Sequence, residues 1–217
     1  NLPAGPVGFL AGVEYREESF VDDRDPRLDG TIVFTDTEGD TYPFVSDVVN
    51  SSPTADSRGD RDVTSALVEF AVPVFETLDV QLAMRYEDYG GDVGSTFDPT
   101  VAGKWTINND LALRGSAQTS FKGPTLNQLS GQVTTLQFVG AASAFKAVDQ
   151  FGDPALSPES AFSFNVGALY DNQNGFTASI DYYNFDFSDP IIVEDQSSIV
   201  GAAVAALRVG AGLQGET

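Results

Sequence analysis

Neither cysteine nor histidine occurs in the 217 residues. Their absence removes disulfides, thiolate chemistry and the usual zinc ligand sets. It also removes serine–histidine and cysteine–histidine nucleophilic machinery. No catalytic residue, cofactor or resident metal is therefore expected. Positive charge is scarce as well. Eleven Lys and Arg stand against 32 Asp and Glu, a formal net charge of −21. Phosphate recognition needs a basic footprint, so nucleic acid is not an expected partner. Long apolar runs are missing too. The longest candidate, Ile199 to Leu207, falls far short of the roughly 18 residues that a membrane-spanning helix needs. The chain starts at Asn1, with no basic stretch leading into an apolar run, so a signal peptide is not expected within it. It is expected to be a processed chain or a fragment.

What the chain does have is alternation. A strand with two unlike faces reads apolar–polar with a period of two. Seven segments do so, around 7–17, 63–75, 78–90, 96–107, 110–121, 161–170 and 176–187. In the third, Leu78, Val80, Leu82, Met84 and Tyr86 oppose Asp79, Gln81, Arg85 and Glu87. In the last, Phe176, Ala178, Ile180 and Tyr182 oppose Thr177, Ser179, Asp181 and Tyr183, and then Phe185 and Phe187 join the polar side. A bulge or a protruding strand end is expected at that loss of phase.

The connections differ in length. Short turns are expected near Phe75–Leu78, Asn108–Asn109 and Asp171–Gly175, and long polar segments at about 18–61, 122–159 and 188–217. Short turns at one end and long loops at the other is the layout of an outer-membrane β-barrel, whose tilted strands need about ten residues to span. Aromatic residues gather near both strand ends. Phe75, Trp105, Tyr170 and Phe176 lie by the short turns, and Tyr15, Tyr86, Tyr89, Phe97, Phe121 and Phe162 by the long loops. Two interfacial girdles account for both sets. A soluble antiparallel sheet also alternates, but it explains neither the loop asymmetry nor the girdles. The expected fold is all-β, an antiparallel transmembrane barrel of which about seven strands are present. The wet inner wall is expected to carry Arg16, Glu69, Arg85, Glu87, Asp98, Lys104, Arg114 and Asp181, together with Glu14.

Two stretches carry a resemblance. The first is Leu113-Arg114-Gly115-Ser116 followed by Phe121-Lys122-Gly123-Pro124-Thr125-Leu126-Asn127-Gln128-Leu129. It resembles the strand-and-exit segment of TonB-dependent receptors. The second, Asp153-Pro154-Ala155-Leu156-Ser157-Pro158-Glu159-Ser160, resembles the family's Asn-Pro-x-Leu-x-Pro-Glu entry into the next strand. Asp189-Pro190-Ile191 is a looser third match. Asp153, Ser157 and Asn165 depart from the family pattern. The resemblance implies a barrel of about 22 strands, of which residues 1–217 form a part without the plug domain. It also implies an outer-membrane setting among lipid and lipopolysaccharide, and uptake of a scarce small-molecule or oligomeric substrate such as an iron–siderophore, cobalamin or a carbohydrate. TonB, ExbB and ExbD would drive that uptake through the plug. A passive porin-like or adhesin barrel and a soluble β-sheet binding module are the alternatives.

Three smaller signals remain. Gly210-Ala211-Gly212-Leu213-Gln214-Gly215 matches a dinucleotide pattern, but no clear strand precedes it, so a loop is expected. The Asn50-Ser51-Ser52 sequon has no meaning in a bacterial barrel. Asp22, Asp23, Asp25, Asp29 and Asp36 resemble a calcium loop only weakly, because Arg27 and the missing terminal glutamate break the pattern. They read as a solvated acidic loop. The alanine-rich stretch Ser198–Val209 is expected to form a short helix within a loop.

Overall fold

The computed structural model describes residue 2 and residues 4–42 and 53–210. These residues build eleven strands, two α-helices and a short 3-10 turn at Gly140–Ala142. They are β1 Gly8–Asp22, β2 Phe34–Thr35, β3 Thr41–Tyr42, β4 Ser57–Phe75, β5 Leu78–Asp88, β6 Ser95–Thr106, β7 Leu111–Lys122, α1 Leu126–Ser130, β8 Gln132–Val139, β9 Ala144–Phe151, β10 Glu159–Asp171, β11 Thr177–Ser188 and α2 Gln196–Gly210. No helix among them is long and apolar enough to cross a membrane, which says nothing of strands.

Seven strands form one sheet in the order β1-β4-β5-β6-β7-β10-β11. They are the seven segments that alternate in the sequence. Each resolved pairing is antiparallel, as short hairpin connections require. Two asparagines shape the tight turns. Asn108 Oδ1 accepts the N–H groups of Asp110 and Leu111, and Asn172 Oδ1 accepts those of Asn174 and Phe176. Such local bonds supply the partners that the interrupted ladder lacks.

The register keeps the two faces separate across the sheet. One apolar row runs Phe70, Leu82, Val101, Ala117, Phe164 and Asn184, the last being the only polar member. A neighbouring row on the other face runs Asp79, Lys104, Arg114, Gly167 and Asp181. On β1, glycines 8 and 12 lie against Ala71 and Leu67, while the Phe9 ring meets Phe70 at 5.1 Å on the apolar face. The single register shift among the resolved pairings, between Pro73 and Phe75, sits where proline cannot donate to a ladder.

The compact unit that holds this sheet comprises residues up to Glu18, with Asp60–Thr125 and Pro154–Ile191. The second unit comprises Ser19–Gly59, Leu126–Asp153 and the residues from Ile192 onward. Within it, β8 and β9 form a hairpin with Phe138 and Phe145 edge-on at 5.5 Å. The α1 segment closes on the far end of the same loop, because Gly152 N–H donates to Gly131 and Asp153 N–H to Gln128. The buried Thr54 hydroxyl accepts the Thr134 N–H at 2.9 Å. Helix α2 covers the expected alanine-rich stretch, and its Ser197 Oγ accepts the Gly140 N–H. Ile199 and Leu207 remain exposed on it.

The structure differs from the sequence reading in three places. β1 runs on to Asp22 and β4 starts at Ser57, so both strands extend well into the segment expected as loop. The residues from 122 to 159 are not simply a loop, since they hold α1 and the β8–β9 hairpin. Finally, β11 has no bulge. Its pairing with β10 is continuous from Thr177 to Ser188. The sequon and residues 211–215 of the glycine-rich pattern lie outside the described residues.

Candidate functional site: the polar wall of the sheet

The expected wall residues fall on one face of the sheet. Asp79, Lys104, Arg114 and Asp181 belong to the row named above, and Arg85 and Asp98 are direct cross-strand partners. Glu69 accepts a hydrogen bond from Gln81 Nε2 at 2.5 Å. Arg114 and Asp181 stand two strands apart, with Gly167 between them in register with both. The guanidinium nevertheless reaches the carboxylate with paired contacts of 2.8 and 2.6 Å. It crosses over Gly167, where any Cβ would collide with the Asp181 carboxylate. Glycine is therefore required at that position by the ion pair and not by a turn.

The densest part of the wall lies at the end of the sheet away from the short turns. Glu87 is only 3% exposed. It accepts hydrogen bonds from Arg16 at 3.2 Å and from Arg85 at 2.6 Å. Arg16 also holds Glu14 and Glu18. Glu18 in turn receives Arg61 at 2.7 Å, and Arg61 Nη1 donates to the Pro124 carbonyl at 2.6 Å. The same guanidinium lies 4.8 Å from the Tyr89 ring centre, within cation–π range. Burial, followed by the Glu87 charge, pushes the Tyr89 phenol up to about 12. One chain of charge-assisted contacts thus runs from β1 and β5 to the exit of β7.

That exit is the first sequence motif. Pro124 is fully buried, and Phe121 meets Tyr89 edge-on at 6.2 Å. Gly123 packs flat against the Tyr89 ring, and a Cβ there would sit 2.5 Å from it. Gly123→Val should therefore lower stability by about 1–3 kcal/mol, the usual range for overpacking. Denaturant titration of the folded receptor measures it, and an unchanged midpoint would show that Tyr89 is free to move. Lys122 binds Glu159 at 3.0 Å, and the other Glu159 oxygen accepts the Ile191 N–H at 2.6 Å. The three motif segments, far apart in sequence, therefore meet at the Glu159 side chain. Pro158 and Leu156, just before it, are half-buried, and Pro154 is exposed. In the second unit Leu126 is buried within α1 and Leu129 half-buried.

The acidic loop uses its carboxylates locally. Asp25 binds Arg27 with two oxygens, which holds its carboxyl well below the usual range. Asp22 pairs with Arg24, and Asp29 accepts the Thr31 N–H. Asp36 accepts the N–H groups of Glu38 and Asp40. No group of three or more acidic side chains among the described residues is arranged to hold a metal ion.

Residues 3–211 match the model of the TonB dependent receptor-like β-barrel. The chain belongs to this family. Its setting is the Gram-negative outer membrane. Among related proteins, the iron-regulated outer membrane virulence protein of Vibrio cholerae is 28% identical over 107 residues, covering 48% of this chain and 15% of that one. A probable TonB-dependent siderophore receptor, PirA of Acinetobacter baumannii, is 23% identical over 143 residues, covering 63% and 19%. This TonB-dependent receptor segment thus spans less than a fifth of those relatives. Its fold matches the crystal structure of the siderophore receptor PirA from Acinetobacter baumannii with a TM-score of 0.64 at 22% identity, covering 86% of this chain and 25% of that one. It also matches the ferric enterobactin receptor PfeA of Pseudomonas aeruginosa with a TM-score of 0.62 at 16% identity, covering 84% and 24%.

Proposed function

We propose that this segment is part of the wall of an energised outer-membrane receptor that takes up an iron–siderophore complex. The carrying observation is the two-faced sheet. One face is aliphatic and aromatic, as hydrocarbon contact demands, and the other is a charged wall suited to a wet lumen. On this reading Arg16, Glu69, Arg85, Glu87, Asp98, Lys104, Arg114 and Asp181 line the lumen. The motif residues from Phe121 to Leu129 and from Pro154 to Glu159 shape the strand exits on the outer side. Substrate would bind above the wall, and TonB with ExbB and ExbD would act through a plug domain outside these residues. The named siderophore receptors among the relatives support the choice of cargo.

The test uses the intact receptor in a strain lacking its own siderophore receptors. Iron-limited growth should be restored by the receptor and lost again when TonB is deleted. Growth independent of TonB would establish the passive, porin-like reading instead.

Orientation can be tested separately. Residues 1–217 hold no cysteine, so a thiol introduced here is read against the same receptor without it. Glu38→Cys, in the long β1–β4 connection, should react with an impermeant maleimide on whole cells. Asn109→Cys, in the short β6–β7 turn, should react only after the outer membrane is opened. The opposite pattern would invert the topology.

A further inference from the structure

Asn174-Gly175 is the only Asn-Gly step in residues 1–217, and it sits in the short turn between β10 and β11. That turn holds its backbone donors closely. Asn172 N–H donates to the Phe176 carbonyl at 3.1 Å. Gln173 N–H donates to Asp171 Oδ1 at 2.8 Å. Asn172 Oδ1 accepts the N–H groups of Asn174 and Phe176 at 2.9 and 3.0 Å. Of the five N–H groups from Asn172 to Phe176, that of Gly175 alone has no acceptor among the described residues. The Asn174 side-chain amide has no partner among them either, and both residues are exposed.

Other asparagines are engaged. Asn108 Oδ1 and Asn172 Oδ1 each accept two N–H groups, and Asn165 donates its amide to the Ser116 hydroxyl. Each is followed by a residue with a side chain, Asn109, Gln173 or Val166, whose Cβ crowds the nitrogen before it. Gly175 has no Cβ, and its φ of 91° is one that glycine adopts without strain. The neighbouring β6–β7 turn does not restrain the step. It is joined through Asp171 N–H to the Asp110 carbonyl and through Gln173 Nε2 to the Asn109 carbonyl, which leaves Asn174 and Gly175 out.

We propose that Asn174 is a site of spontaneous deamidation in the folded receptor. Hydroxide takes the Gly175 amide proton, and the nitrogen attacks Asn174 Cγ. A new C–N bond closes a five-membered ring, and the side-chain nitrogen leaves as ammonia. Water then opens the resulting succinimide at either carbonyl, giving aspartate or isoaspartate. The net change is one amide and one water converted to one carboxylate and one ammonia, with no oxidant, metal or enzyme. The isoaspartyl product runs the main chain through the former side chain. It adds one backbone atom between the two N–H groups that Asn172 Oδ1 now holds, so the cap keeps one of them and releases the other. The new carboxylate also joins Asp171 at the same end of the sheet. The turn therefore loosens as the receptor ages, whatever the cargo.

The test uses purified full-length receptor in detergent, held at mildly acidic and mildly alkaline pH and sampled over weeks. Peptide mapping by mass spectrometry reads the conversion of amide to acid, and labelling by an isoaspartyl methyltransferase reads isoaspartate. Both signals should appear at residue 174, grow with time and rise in proportion to hydroxide concentration. Asn174→Gln should lose them, because attack would have to close a six-membered ring, while the heat-modifiable gel mobility of the folded barrel stays the same. No conversion at residue 174, or conversion only after the receptor is unfolded, overturns the assignment, since the turn or a further receptor segment would then hold the step closed. Equal conversion at Asn108 or Asn172 overturns it too, because the free Gly175 N–H would not be what decides the site.

Discussion

Leu82→Arg should cost the barrel about 2–4 kcal/mol, while Gln81→Arg, one residue away, should cost a small fraction of that. Leu82 lies mid-strand on the apolar face, between Phe70 of β4 and Val101 of β6. A guanidinium placed there must leave water for hydrocarbon or bend toward an interface. Gln81 points the other way, between Ala71 and Ala102, and its amide already bonds to Glu69. An arginine in its place gains a carboxylate neighbour and keeps its hydration. Urea-dependent folding of the intact receptor into lipid vesicles measures both. Equal costs would mean that both faces of β5 see the same surroundings and that the apolar face does not meet lipid.

Glu87→Ala should be the most damaging change on the wall, at about 1–2 kcal/mol, since a buried acceptor of two charge-assisted bonds is lost while its partners stay in reach of water. Glu87 is buried and is the shared acceptor of Arg16 and Arg85. Removing it takes a carboxylate from Arg85 and one of three from Arg16, which keeps Glu14 and Glu18, and because both guanidiniums are more than a third exposed water screens the charge that remains. Glu87→Gln should be intermediate, because the amide oxygen still accepts a hydrogen bond but carries no charge. The contrast with Asp181→Ala is the control. That carboxylate and its Arg114 partner are both well exposed, so its loss should cost under about 1 kcal/mol. Chemical denaturation of the three variants should give that order. A Glu87→Ala receptor as stable as wild type would show that water reaches the site freely.

The seven sheet strands were legible because period-two alternation is a local signal, and each strand carries enough of it to be read alone. The alternation stops where the chain leaves hydrocarbon. Beyond Arg16, β1 continues through Glu17, Glu18 and Ser19 with no apolar face to mark it, which is why its length was underestimated. The β8–β9 hairpin was missed for a related reason. Its strands are short, and Thr134, Gln137, Lys146 and Gln150 dilute their patterns. Parity placed Phe185 and Phe187 on the polar side of β11. Of the two expected causes, a bulge or a protruding strand end, it took the continuous pairing with β10 to remove the bulge. Among the wall residues, which face each occupies followed from parity. Which ones touch did not. The Arg114–Asp181 pair over Gly167 depends on two independent registers, and the Glu159 contacts depend on three strands ending at one level.

Those Glu159 contacts bear on how such receptors can be re-engineered. Lys122, Glu159 and Ile191 are tied to one another inside the sheet unit. The ends of the stretch from Leu126 to Asp153 are closed by backbone bonds between Gln128, Gly131, Gly152 and Asp153. The same stretch is also held by the Thr54 hydroxyl on the Thr134 N–H and by Ser197 on the Gly140 N–H. A graft of residues 126–153 from another receptor must therefore bring its own partners for the positions of Thr54 and Ser197, because a hairpin moved alone would leave two backbone N–H groups without acceptors.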